Sequence, residues 1–416
     1  MRNIRILIIA PYPIIDAQHG GQKRAKALFD FYAKNYQAVK FTSVFHRGQY
    51  PAWGEDDLPL GDPEIIAEVD KHPYASELIC GEAIDKDIHV RSYLAKLLVE
   101  FRPDIIHIEQ PFAYLGLKQL LAELKLKPLI IFGSQNIEYP LKARIFKELN
   151  VPKKLSDELI QKTKDLEFAL SREASLLVAV NHEDAESHKE MGAKRITIAP
   201  NGIENSTAPY DDLEYWKKFK EREGINSIFV FVGSGHPPNW EGFLELIGDD
   251  TTFLPEDSKI IIAGGVSDYF NAKFSDPRDK FWASVRTVGR LEEGRLAALL
   301  RSSDQILLPI TTKRGSNLKT AEAILAQKKI IATSNTFHGF EEYVRLPNIF
   351  IGDNKEQFKK AMLQALAKPY RHLKKEEKSL VERVQWSYRL KPIKRAVDGL
   401  IINKRAKKII RKLLRG

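Results

Sequence analysis

Short continuous apolar runs alternate with amphipathic stretches along nearly the whole chain, a pattern that predicts parallel strands joined by crossover helices. In the first half it predicts strands at Ile4–Ala10, Val39–Phe45, Asp104–Ile108, Leu129–Phe132, Leu176–Val180 and Ile196–Ile198. Helices are predicted at Gly21–Lys34, Val90–Phe101 and Asp157–Glu173. In the second half the predicted strands are Ser227–Val232, Lys259–Ala263, Val285–Val288, Gln305–Leu308, Lys329–Ala332 and Ile349–Ile351. Residues Gly48–Glu82, rich in Pro, Gly and acids, read as an irregular insertion or mobile flap. All periodicity breaks at Asn205–Asp212. The fold class expected is α/β, with two Rossmann-like halves facing a cleft and ligands at the carboxyl ends of the strands. The domains expected are 1–205, 206–380, and a C-terminal segment 381–416 that crosses back and ends in a basic tail.

One stretch, Asp304–Glu342, carries the most chemistry. It reads as strand (Gln305–Leu308), glycine-bearing loop (Thr311–Asn317), helix (Leu318–Gln327) and second strand (Lys329–Ala332). That order gathers backbone N–H groups, Lys319 and Glu322 around the start of one helix. The first amides of a helix are unpaired and its dipole is positive there, so the position favours an anion. A carboxylate one turn further in, Glu322, can accept hydrogen bonds from vicinal hydroxyls such as those of a ribose. A nucleoside diphosphate-sugar has both features. The bland alternative is an amphipathic helix bearing two solvated charges.

Composition narrows the picture in three ways. A chain of 416 residues with 43% hydrophobic and 29% charged content suits a soluble protein of two domains. No apolar run reaches the ~20 residues that a spanning helix needs. The apolar N-terminus ends in prolines without a small-residue cleavage site, so it reads as a buried first strand rather than a signal peptide. The single cysteine, Cys80, excludes an intrachain disulfide and a multi-cysteine metal site. Residence in the cytoplasm is the simplest expectation. No Asp-x-Asp follows a strand and no His–Cys cluster occurs, so no metal is expected. The net charge of +10 is uneven: residues 403–416 carry seven Lys or Arg and no acid. Ile402, Ala406, Ile409, Ile410, Leu413 and Leu414 recur there at helical spacing, so basic and apolar faces would separate. Residues 401–416 would therefore suit an anionic membrane surface, placing the protein peripherally at the inner face of the membrane. A solvated or packed terminal helix is the alternative. No nucleic-acid partner is expected.

The run Pro309 to Glu322, with its G-x-x-L-K-x-x-E-A pattern, followed by a β-branched strand, Thr333 and the Gly339–Glu342 turn, resembles the donor-site signature of retaining glycosyltransferases. These have two facing Rossmann-like domains, the GT-B arrangement, and the nearest resemblance is to the large glycosyltransferase family 4. Met1–Arg24, Pro103–Pro111, Ser134–Glu138, Val180–Glu186, Ala199–Glu204, Phe231–Gly242 and Val288–Pro309 follow that family's order, so the resemblance covers nearly the whole chain. It implies an acceptor-side first domain and a donor-side second domain. It implies transfer of a sugar from a nucleoside diphosphate-sugar to a hydroxyl on a glycan or lipid-linked acceptor, with retention. The donor is a co-substrate, and no resident cofactor is implied.

Residue by residue, Gly20 and Gly21 match the glycine pair that lies under the diphosphate and acceptor in the family, and the basic residue after them is represented by Arg24. Gly20-Gly21 could equally be a strand-to-helix turn. Glu109 stands where family members often carry a histidine; it could position an acceptor hydroxyl or serve as its base if a cleft raised its pKa, or be a loop acid without chemistry. His107 alternates toward the sheet packing and reads as structural. Gln135 and Asn136 match an acceptor-side loop whose amides would bond sugar hydroxyls, with capping by Asn136 and Glu138 as the alternative. Pro200-Asn201-Gly202 reads as a positive-φ turn. Gly233 and Asn239 would supply backbone and amide donors to the diphosphate, since the family's Arg and Lys at that strand end are missing. Arg290 would supply some of that charge. Arg314 replaces the first acid of the family's Glu-x7-Glu pattern, and Gly315, Ser316, Asn317 and Leu318 complete the donor loop, with Lys319 toward the phosphates. Two other readings share the plan: a sugar-nucleotide 2-epimerase, and a degenerate copy that binds nucleotide or glycan without turnover.

Overall fold

The computed structural model describes residues 4–312 and 318–413 and divides into two compact units. One comprises Met1–Pro200 with Arg389–Gly416, the other Asn201–Tyr388.

In the first unit the strands are β1 (Arg5–Ala10), β2 (Ala38–Phe45), β3 (Leu58–Pro59), β4 (Ile105–Glu109), β5 (Leu129–Gly133), β6 (Leu176–Ala179) and β7 (Ile196–Ile198). The helices are α1 (Gly20–Asn35), α2 (Pro63–Lys71), α3 (Ser76–Lys86), α4 (Ile88–Phe101), α5 (Tyr114–Glu123), α6 (Glu138–Glu148), α7 (Lys153–Glu173) and α8 (His182–Glu190). The strands form one parallel seven-stranded sheet in the order β3-β2-β1-β4-β5-β6-β7. Helices cover both faces, which is why Ile6 to Ile9 read as an unbroken apolar run and are fully buried.

In the second unit the strands are β8 (Ser227–Val232), β9 (Ser258–Ala263), β10 (Val285–Gly289), β11 (Gln305–Leu308), β12 (Lys329–Ala332) and β13 (Ile349–Ile351). They are also parallel, in the order β10-β9-β8-β11-β12-β13. Around them lie α9 (Tyr210–Arg222), α10 (Pro237–Leu246), α11 (Val266–Lys273), α12 (Glu293–Ser302), α13 (Leu318–Ala326), α14 (Lys355–Ala367), α15 (Lys375–Glu382) and α16 (Trp386–Arg389). Two apolar layers, one on each side of the sheet, are built on Val230, Ile261 and Ile306 and on Phe229, Ile260 and Leu307 respectively. Finally α17 (Lys391–Leu413) belongs to the first unit and packs on β6 and β7, burying Ile393, Val397 and Leu400, with Leu390 buried just before it. No helix among the described residues is long and apolar enough to cross a membrane.

Two sequence expectations are corrected. Residues Gly48–Glu82 are not an irregular flap; they hold β3, α2 and most of α3. The Asp and Pro that suggested a loop are a helix start. Asp62 accepts hydrogen bonds from the N–H groups of Glu64 (2.9 Å) and Ile65 (3.3 Å), and Pro63 occupies the first helical position, where a missing N–H costs nothing. Ile65, Val69, Leu78, Ile79 and Ile84 then face the core. At Pro200-Asn201-Gly202, neither Asn201 nor Gly202 has a positive φ. Gly202 serves close approach instead: a Cβ there would stand 2.8 Å from the Trp386 nitrogen, because Ile203 bridges to Gln385 in parallel.

Candidate functional site

Strand order reverses between β8 and β11 in the second unit, with β9 and β10 laid to one side and β12 and β13 to the other. Such a switch opens a crevice at the carboxyl ends of the two central strands. A pocket of about 110 Å³ lies there, lined by Phe231 from β8, Pro238 and Asn239 from α10, Leu308 at the end of β11 and Pro309 to Thr312 beyond it, and Lys319 from α13.

Lys319 is half-buried, and its Nζ donates a hydrogen bond to Asn239 Oδ1 at 2.5 Å. Asn239 Nδ2 in turn donates to the Ser234 carbonyl (2.9 Å) and Oγ (3.0 Å). An ammonium can only donate and a carbonyl can only accept, so the amide has one sensible orientation. Burial pushes the Lys319 ammonium down to about 8, against the opposing pull of Glu322. Glu322 itself is half-buried and sits three residues along the same helix face. Gly242, one turn after Asn239, lets α10 press on the exit of β11. A Cβ at Gly242 would stand 2.2 Å from the Pro309 carbonyl oxygen.

The start of α10 differs from the sequence expectation of a backbone cradle. Pro237 and Pro238 have no N–H to offer. The Gly233 N–H donates to Ala263 O (2.9 Å) and the Asn239 N–H to His236 O (3.0 Å), so both are committed within the unit. Asn239 contributes through its side chain. Arg290 is exposed beyond β10, with Nε and Nη2 3.5 Å from where a Cβ on Gly265 would stand. Leu318 opens α13 half-buried. Arg314, Gly315, Ser316 and Asn317 lie outside the described residues.

In the first unit the switch falls between β1 and β4. Gly20 and Gly21 form the first turn of α1, whose N-cap His19 accepts the Gln22 N–H at Nδ1 (3.3 Å). Beneath that turn a set of polar side chains is closed to solvent. Glu109 ends β4 with Oε1 3.1 Å from His107 Nε2 and Oε2 3.9 Å from Arg24 Nε. Gln135 Nε2 donates to Glu109 Oε2 (2.6 Å) and to the Tyr12 hydroxyl (2.7 Å). The Tyr32 hydroxyl lies 2.9 Å from His107 Nδ1, and Arg24 Nη1 donates to the Ala199 carbonyl (3.0 Å).

Burial alone would push the Glu109 carboxyl up, but His107, Arg24 and Gln135 outweigh it and hold it below its ordinary value. This corrects the expectation of a base with a raised pKa: Glu109 is a buried, ionised counter-charge. Arg24 and Gln135 are likewise interior groups here rather than solvent-facing ones. Asn136 is half-buried, and its carbonyl accepts from Ser134 Oγ (2.9 Å). The cap of α6 comes from neither Asn136 nor Glu138. Glu167 of α7 accepts from the N–H groups of Glu138 (2.7 Å) and Tyr139 (2.9 Å). Burial raises Glu167 to about 7 and Glu138 to about 8. Tyr12, Tyr32 and Glu167 were not singled out from the sequence; only the position of Tyr12 just after the first strand could have signalled it. Among the described residues no group of three His, Cys, Asp or Glu side chains is arranged to hold a metal ion.

No protein-family model matches the chain, and no curated protein sequence does. Solved structures do match it. A sucrose-phosphate synthase from Thermosynechococcus elongatus superposes with a TM-score of 0.68 at 13% identity, covering 96% of this chain and 100% of that one. Anabaena HepE in complex with UDP-glucose gives 0.58 at 12% identity, covering 97% and 100%. The catalytic domain of Arabidopsis thaliana starch synthase IV, bound to ADP and acarbose, gives 0.59 at 13%, covering 96% and 99%. The chain has the GT-B fold. At this identity the likeness establishes that fold, and the chemistry must be argued from the residues.

Proposed function

We propose that this GT-B protein transfers a sugar from a nucleoside diphosphate-sugar to a hydroxyl acceptor, with retention and without a metal ion, as a relative of glycosyltransferase family 4. The observation that carries the reading is the pocket at the β8–β11 switch, where Lys319 is held at the start of α13 with Glu322 one turn on. Lys319 would stabilise negative charge on the departing diphosphate, the largest single lever available to such a reaction. The bond from the anomeric carbon to the β-phosphate oxygen breaks, the acceptor oxygen bonds to that carbon on the same face, and the acceptor proton passes to the diphosphate. No protein base is required, which agrees with Glu109 being ionised but enclosed. The GT-B structures of HepE and starch synthase IV hold UDP-glucose and ADP, which supports a nucleotide ligand here. The acceptor is a glycan or lipid-linked precursor, and residues 401–416 bring the protein to an anionic membrane surface.

The test is calorimetry with UDP, ADP and GDP, followed by hydrolysis assays on the matching sugar nucleotides. One diphosphate should bind, and Lys319→Ala and Glu322→Ala should each weaken it by about tenfold to a hundredfold. If none binds to folded protein, the reading is wrong. Arg314 in place of the first acid of the Glu-x7-Glu pattern favours a second reading, a protein that binds nucleotide without turnover. Binding with no hydrolysis or transfer of any donor would select it.

A further inference from the structure

The family's usual pair of cations at the end of the first donor-domain strand is missing here, and the structure shows what stands near that place. Asn239 sits in the first turn of α10 with both ends of its amide committed. Nδ2 is anchored on Ser234, and Oδ1 receives Lys319 Nζ from a helix 80 positions further along the chain. Its amide therefore points at Lys319 and Ser234 and has no free donor for a ligand.

We infer that Asn239 is a positioning residue: it acts through Lys319, holding the ammonium at the mouth of the β8–β11 pocket for a diphosphate to bind. The inference rests on the reading of that pocket as a nucleotide site. A neutral acceptor suits the task. An aspartate at 239 would fix Lys319 equally well but cancel its charge before an anion arrived. An aliphatic side chain would take the Oδ1 acceptor away from a half-buried ammonium. The remaining lining groups among the described residues, Phe231, Pro238 and Leu308 to Thr312, carry no charge. Among the described residues Glu322 on α13 is the charged group acting on Lys319. Burial and the Glu322 carboxylate thus pull the ammonium in opposite directions, and Asn239 receives it at Oδ1. The close approach of α10 to the exit of β11 depends on Gly242.

Because Lys319 is pushed down to about 8, diphosphate affinity should fall as pH rises through that value, the cation being the binding form. The experiment measures binding of UDP, ADP and GDP by calorimetry from about pH 7 to pH 9 for wild type, Asn239→Asp and Asn239→Leu. Affinity ratios at equal pH remove the ligands' own titration. Asn239→Asp should weaken binding at neutral pH by about tenfold or more and move the alkaline decline to higher pH. Asn239→Leu should weaken binding and move that decline to lower pH. Opposite displacements are not produced by a merely structural role, and the near-isosteric Asp variant keeps the test open should the Leu variant fail to fold. If a diphosphate binds and both variants keep the wild-type decline, Asn239 does not act through Lys319, while the nucleotide site stands. If none of the three binds wild type, both ideas fall together.

Discussion

Two residues apart on β4, His107 and Glu109 project to the same side of the strand, and their Nε2 and Oε1 atoms lie 3.1 Å apart at full burial. Arg24 from α1 and Gln135 from beyond β5 close on the same carboxylate. An acid at the carboxyl end of a central strand is where a reacting group is usually sought. Here the acid is the counter-charge that lets an arginine be buried beneath the Gly20–Gly21 turn.

Glu109→Ala should therefore destabilise the first unit by about 3–5 kcal/mol, because it strands the buried Arg24 guanidinium beside His107. Glu109→Gln, which keeps shape and loses charge, should cost less. Glu109 titrates below its ordinary 4.5, so its contribution is present at neutral pH and lost as pH falls through the lowered folded value. Urea titrations should show the acid limb of stability in wild type and a flatter limb in Glu109→Gln. Equal limbs would mean that the network carries no net stabilisation.

Glu138 predicts the opposite pH behaviour. Burial raises it to about 8, with Glu77 and Glu167 adding to the rise and Lys142 opposing it. An acid raised in the folded state stabilises fully below its unfolded pKa and loses that contribution as pH rises toward the folded value. Glu138→Gln removes the penalty of ionising a closed site next to Gln110, whose Nε2 lies 3.4 Å from Oε1. The variant should gain about 1–3 kcal/mol at pH 8 relative to wild type and nothing near pH 4. Paired melting curves at the two pH values check this, and a uniform gain at both would contradict it.

How far the sequence could be read follows from what each feature depends on. Buried parallel strands are unbroken apolar runs, so Ser227–Val232, Gln305–Leu308 and Lys329–Ala332 are visible locally and coincide with β8, β11 and β12. The Asp62-Pro63 helix start was local too, but its residues also serve loops, and the buried face of α2 and α3 becomes evident only once Leu78 and Ile84 have a sheet to pack against. The networks were out of reach for another reason. Tyr32 and His107 are 75 positions apart, Gln135 and Tyr12 123 apart, and no period links them. The strand-end position of Glu109 does not by itself decide its pKa, which is held down by His107 two residues earlier on β4 together with Arg24 from α1 and Gln135 from beyond β5.

Gly242→Ala tests the packing that assembles the pocket. The new methyl would meet the Pro309 carbonyl oxygen at 2.2 Å, and both contacting groups are backbone, so α10 must move. We expect a loss of about 1–3 kcal/mol in the second unit together with weaker nucleoside diphosphate binding, as Asn239 draws away from Lys319. The same exchange at Gly399 in α17, where nothing lies within 4 Å of the added carbon, should instead stabilise by about 0.5–1 kcal/mol. Thermal melts and UDP calorimetry on both variants measure the contrast, and a harmless Gly242→Ala would show that α10 has slack the geometry does not suggest.

The tail can be separated from the fold because α17 commits its apolar side chains early. Leu390, Ile393, Val397 and Leu400 are buried in the first unit, whereas Ile402 is 65% exposed. Deleting residues 401–416 should therefore leave melting of the first unit within about 0.5 kcal/mol of wild type, as expected for surface changes. The deletion removes seven Lys or Arg and no acid from a helix end, each basic residue being worth about 1 kcal/mol at an anionic bilayer. Full-length protein should sediment with phosphatidylserine vesicles in low salt, release as ionic strength rises, and ignore purely phosphatidylcholine vesicles. The shortened chain should stay in the supernatant under all three conditions. Equal sedimentation of the two proteins would assign membrane binding to another surface, and no sedimentation of either would leave the basic helix end as a solvated terminus.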